Sequence, residues 1–237
     1  MLPVPAYIII TFVLTTLLTV IIFAIASSNA RITLFILTGW VVLQAIAGFS
    51  GFYLTTDTLP PRFVLLVFPP LLLISLLFVT PGGKRFIDKM DPGLLTLLHS
   101  CRIPVELVLF WLSLQKAVPG LMTFEGRNFD IVSGLTAPAV YYFGYVKKLM
   151  SSKILIVWHL ACLVLLFNIV IHAILSAPSP LQQFAFEQPN IAVLYFPFVW
   201  LPCCVVPLVL LSHLAVLRQL KTANKSVQKT GKSGNNY

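Results

Sequence analysis

The sequence predicts an all-α, polytopic integral membrane protein: a seven-helix transmembrane bundle with its N-terminus outside and its C-terminus cytoplasmic. Three observations carry that reading. Hydrophobic residues make up 58% of the 237 and charged ones 10%, against roughly 25% charged in a soluble domain. Seven apolar runs are long enough, or nearly so, to cross a hydrocarbon core of about 30 Å as helices. The cations fall between those runs with a strong bias to alternate connections.

The runs are 5–26, 32–54, 62–80, 93–117, 131–147, 151–176 and 190–218. The first resembles a signal peptide through Ala24-Ile25-Ala26. However, "MLPVPAY" has no positive n-region and the run exceeds a typical h-region, so it reads as a retained helix. In the second, Trp40, Gln44, Ala47, Gly48 and Gly51 share a face, a pattern of close helix contact with one hydrogen-bonding side chain. The fifth is short, and Ser133, Gly134, Thr136 and Pro138 loosen its first half. The seventh carries Pro197, Pro202 and Pro207 and is expected to be bent or locally broken.

Charge sets the orientation. Arg31, then Lys84, Arg85 and Lys89, then Lys147, Lys148 and Lys153, then Arg218, Lys221, Lys225, Lys229 and Lys232 fall on one side, twelve in all. Arg62, Lys116 and Arg127 fall on the other. The positive-inside rule makes the richer side cytoplasmic. Residues 1–218 form the membrane domain, and 219–237, ending "KTANKSVQKTGKSGNNY", read as a disordered basic cytoplasmic tail. The net charge of +9 is thus a membrane protein's anchoring charge. The partner it implies is the lipid bilayer of the cell membrane, not nucleic acid.

Cys101, Cys162, Cys203 and Cys204 lie in apolar runs with no paired CxxC spacing, which makes them packing residues.

The fourth run opens "HSCRIPVELVLFWLSL", with His99, Arg102 and Glu106 among apolar residues. At roughly 100° per residue these three lie within about 60° on one helix face, and Ser113 joins them. Arg102 and Glu106 are four apart and can pair directly. Pro104 between them predicts a kink. Snorkelling of His99 and Arg102 to headgroups is the plain reading, but Glu106 reaches mid-membrane, where ionisable groups are usually functional.

His159 lies near the start of the sixth run and His213 near the end of the seventh, which places both at the depth of His99. Converged, His99, His159 and His213 suit a transition metal ion. Two of them suit haem b, with Arg102 placed for a propionate. Scattered, they are three interfacial histidines. His159 and His172, 13 apart, do not face the same way, so a two-haem stack is disfavoured, and His172 shares a face with Asn168. In "TFEGRNFDIVSG" the polar residues Glu125, Arg127, Asn128 and Asp130 read as an outer loop, either solvated or forming the mouth of a cavity for a small-molecule ligand.

Several classes are excluded by residues. The last helix has no lysine to hold retinal, no D/E-R-Y or N-P-x-x-Y of the G-protein-coupled receptors is present, and His213 lacks the second histidine of seven-helix zinc hydrolases. GxSxG, Walker, HExxH and GxGxxG motifs are absent too. The leading expectation is a membrane protein with a His/Arg/Glu site in the cytoplasmic half, His99, His159 and His213 being ligands and Arg102 and Glu106 their charge partners. The alternatives are a small-solute or proton-coupled transporter and a structural subunit of a membrane complex.

Overall fold

The structure, a computed structural model, describes residues 2–56, 58 and 60–233, with side chains as far as Ala223. It is all-helical, 74% helix, with no strand among the described residues. Among the described residues, nine α-helices follow in order: α1 Ala6–Ala26, α2 Ala30–Phe49, α3 Val64–Val79, α4 Pro81–Asp88, α5 Pro92–Leu98, α6 Arg102–Leu114, α7 Ile131–Tyr141, α8 Ser152–Ser176 and α9 Val206–Ser233.

Among the described residues, five helical stretches are long and apolar enough to cross a membrane: Ala6–Ala26, Ala30–Phe49, Pro92–Leu114, Ser152–Ser176 and Leu201–Ala223. α3 with α4 passes the same test, but the pair is bent by 92°. Thr80 ends α3 in extended backbone and caps α4 by accepting from the Gly83 amide at 3.1 Å, so one residue makes the corner. The apolar stretch Ile131–Val146 is shorter. The seventh run also starts later than expected. Residues 195–199 form a bend and turns, Leu201–Val205 is a π-helical turn around Pro202, and the α-helix α9 begins at Val206. Prolines at 197 and 202 lack the N–H that a continuous helix would need there.

Apolar side chains face outward along the bundle, Leu14, Phe35, Leu43 and Val164 among them, while the core includes polar groups. The small face of α2 meets its partner closely: a Cβ on Gly48 would lie 3.2 Å from Val199, and Trp40 Nε1 donates to the Cys203 carbonyl at 2.8 Å. Gln44 takes a local partner, accepting from Tyr53 Oη at 2.6 Å. All four cysteines are buried and free.

The cationic connections gather at one end. The Asp91 amide donates to the Ala26 carbonyl at 2.8 Å, and Arg218 binds both oxygens of Asp88 at 2.8 and 2.9 Å. Gln219 donates to the carbonyls of Ile87 and Met90. The first residues of the expected disordered tail therefore continue α9 and are tied to the α4–α5 corner. The tail's side chains past Ala223, and residues 234–237 altogether, lie outside the described residues.

Candidate functional site

His99, His159 and His213 come from three separate helical segments, and all three are fully buried. Asp91 caps α5 by accepting from the Leu94 amide, and Pro92 sets its first turn. The helix then tightens into a 3-10 turn over His99–Cys101 before α6 begins. Pro104 has no N–H for the carbonyl of Ser100, which is why the α-helical ladder lapses just there. His159 sits on α8, capped by Ser151, and His213 on α9. One nitrogen from each imidazole lies within 4.8 Å of the other two. The depth argument from sequence thus ends in real convergence: a buried histidine cluster that could hold a metal ion.

The rings are in contact. His99 stacks on His213 with centroids 3.7 Å apart and planes 12° from parallel. His159 meets His213 at 82°, and their Nδ1 atoms lie 2.7 Å apart. Trp158 closes the cluster at 4.9 Å from the His159 ring.

A hydrogen-bonded chain fixes the proton positions. Arg102 Nη2 donates to His213 Nε2 at 3.0 Å. Guanidinium has donors and no acceptor, so that nitrogen carries a lone pair, and the proton of a neutral His213 sits on Nδ1. It is donated to His159 Nδ1. The proton of His159 is then on Nε2, directed at Thr96 Oγ1, 3.4 Å away, whose hydroxyl donates to the Pro92 carbonyl at 2.8 Å. Every link has one donor and one acceptor. His99 stands outside the chain: both its ring nitrogens are buried without a partner.

The expected Arg102–Glu106 pair is not formed. Arg102 Nη1 donates to Asp130 Oδ1 at 2.7 Å, and both side chains are buried. Glu106 instead accepts from Asn128 Nδ2 at 2.6 Å, leaving its Oε2 and Arg102 Nε unpartnered. Proximity along one helix lost to geometry across helices, because α7 starts at the level of Arg102 and presents Asp130 to it. The outer-loop reading therefore divides. Glu125 and Arg127 stay exposed, but Asn128 and Asp130 turn into the bundle. Asn128 also donates to the Met122 carbonyl and accepts from the Asp130 amide, so it braces the chain where it dives. The loop is held from the far side by Asn168, whose side chain donates to the Arg127 carbonyl at 2.8 Å. His172 donates to the Asn168 carbonyl and takes no part in the cluster.

Three neutral nitrogen donors suit zinc, copper, nickel or iron over magnesium or calcium. Haem is a poor fit. Axial imidazoles must sit on opposite faces of a flat macrocycle, and these rings touch, leaving no slot between them. Within the hydrogen-bonded chain, the His213–His159 contact holds one proton that either ring can carry.

Residues 60–221 match a family described as Domain of unknown function (DUF8737). The chain belongs to that family. The DUF8737 region omits α1 and α2 and contains every residue of the centre: His99, Arg102, Glu106, Asn128, Asp130, His159 and His213. No curated protein and no solved structure matches the chain.

Thr96 was missed in sequence, although it is one turn before His99 and on its face. The roles of Asn128 and Asp130 were missed because a polar run between two apolar ones reads as solvent-facing.

Proposed function

We propose that this is a seven-span protein of the cell membrane, N-terminus outside, whose core binds one divalent transition metal ion through His99, His159 and His213. The observation that carries the reading is His99. A buried imidazole with neither nitrogen satisfied is costly unless something fills the gap, and two further imidazoles stand within coordinating reach. Supporting the membrane assignment are the outward apolar faces, and the twelve cations on one side support the orientation.

Arg102 and Asp130 sit behind His213 and set its proton position. As the second layer of a metal site they are unusual. A metal-bound imidazole normally donates its other N–H to a carboxylate or carbonyl, whereas His213 Nε2 faces a donor. Loading the ion on Nδ1 requires the shared proton to leave and Arg102 to turn aside.

Elemental analysis of detergent-purified protein tests this. About one zinc, copper, nickel or iron per chain is expected, as a three-histidine site holds one ion. His159→Ala should abolish it. His99→Phe keeps the stack on His213 and removes two unpaired nitrogens, so it should lose metal while melting no lower than metal-free wild type. Wild-type protein that takes up no metal even when zinc or cobalt is supplied would end the proposal.

A second reading, proton-coupled transport, rests on the proton shared between the buried His213 and His159 rings. It predicts proton flux in protein-loaded liposomes that His213→Phe stops and that stripping metal from the wild-type protein leaves unchanged.

A further inference from the structure

A cavity of about 160 Å3 lies among α3, α6, α8 and the start of α9. Its wall is apolar, with Val105, Leu109, Val170, Ala173 and Leu210 on it, and Glu106 and Asp130 are its ionisable members among the described residues. Leu71 and Phe167, exposed on the outside of the bundle, flank it. It therefore runs from the apolar surface to the two carboxylates beside Arg102.

Size and chemistry constrain what fits. An apolar cavity of about 150 Å3 accepts a benzene-sized guest, so this one takes about six carbons of an alkyl chain. At its polar end, Asp130 Oδ1 is engaged by Arg102 and Glu106 Oε1 by Asn128, while Glu106 Oε2 is buried with no partner. What is missing there is a hydrogen-bond partner for Oε2, which a hydroxyl or amine can supply whichever of the two groups carries the proton. A carboxylate or phosphate head would meet two carboxylates with one guanidinium already committed between Asp130 and His213, and is disfavoured.

We propose that this cavity binds a membrane-dissolved amphiphile: an alkyl chain bearing a single hydrogen-bond-donating head group, a hydroxyl or a primary amine. The head hydrogen-bonds to Glu106 Oε2, and the chain lies along Val105, Leu109 and Ala173 toward the lipid. The site is distinct from the histidine cluster and does not depend on a metal there.

The test uses full-length protein in phosphatidylcholine nanodiscs, whose headgroups carry no donor. The probe is an eight-carbon alcohol carrying an alkyl diazirine, with adducts mapped by mass spectrometry. Adducts are expected on α6 and α8, saturable and suppressed by n-octanol or n-octylamine. Octane should compete about tenfold to a hundredfold more weakly, the cost of leaving a buried polar group unsatisfied. Which of octylamine and octanol competes better identifies the head as charged or neutral. Glu106→Leu should erase the preference over octane, and Ala173→Phe should remove the adducts while metal content stays unchanged. Octane competing as well as octanol, or adducts persisting in Ala173→Phe, would overturn the proposal.

Discussion

The Nδ1 atoms of His159 and His213 lie 2.7 Å apart with a single proton between them, and Arg102 decides which ring owns it. Imidazole nitrogens sharing one metal stand about 3–4 Å apart, given metal–nitrogen bonds of about 2 Å. The pair is thus set for a proton and must open slightly for a metal. Arg102 opposes that opening twice, by its positive charge and by holding the lone pair of His213 on Nε2.

Removing that opposition should tighten metal binding. The double variant Arg102→Met, Asp130→Leu deletes a buried ion pair as a unit, a change that is often neutral or stabilising. Cobalt titration followed by its visible absorption should show raised affinity, because the guanidinium touches His213 while the carboxylate that offsets it stands farther off, and because Nδ1 of His213 is then free to give up its proton. Weaker binding would mean that Arg102 supports the site.

The ion pair itself makes a contrasting prediction. Asp130→Asn leaves Arg102 buried without a counter-charge and should cost about 3–5 kcal/mol. Glu106→Gln keeps an oxygen for Asn128 and breaks no ion pair, so it should change stability by less than about 1 kcal/mol. Unfolding of the detergent-solubilised variants measures both. The reverse order would restore the pairing of Arg102 with Glu106 that their spacing suggests.

Much of this site was legible before any coordinates. Depth along each apolar run placed His99, His159 and His213 in one layer, because rise per residue is nearly constant in a helix. Which helices are neighbours, and hence whether the rings touch, is a tertiary property that periodicity does not encode. The polar run 123–130 was harder. Its cue was the shortness of the fifth run: 131–147 is too brief to span comfortably, so its N-terminal end must lie within the bundle, and the polar residues just before it come in with it. The corner at Thr80 has a weaker signature, a Thr-Pro-Gly-Gly sequence at the end of an apolar run.

Orientation is open to a direct check. A reporter active only in the cytoplasm should work when fused after the last residue or between Lys147 and Lys153, and fail when fused after Gly126, which is exposed on the opposite connection. Activity at Gly126 would remove both the span count and the inner placement of the cationic end.

Gly134 permits the close packing that joins the two halves of the centre. A Cβ there would lie 2.9 Å from Ile103 Cγ1, 3.0 Å from the Ile103 amide nitrogen and 3.3 Å from Arg102 Cβ. The side-chain methylene can swing away, but the amide nitrogen is fixed in α6, so α7 itself must move. Asp130 is one turn before Gly134 and its carbonyl accepts from the Gly134 amide, so the displacement carries the carboxylate off Arg102. Gly134→Ala should therefore destabilise by about 1–3 kcal/mol, the range for overpacking. Gly39 is the control: a Cβ there meets nothing within 4 Å, and alanine in that helix interior should stabilise by roughly 0.5–1 kcal/mol. If thermal melts of the two variants shift in the same upward direction, α6 and α7 are not packed this closely, and Asp130 loses the support that holds it against Arg102.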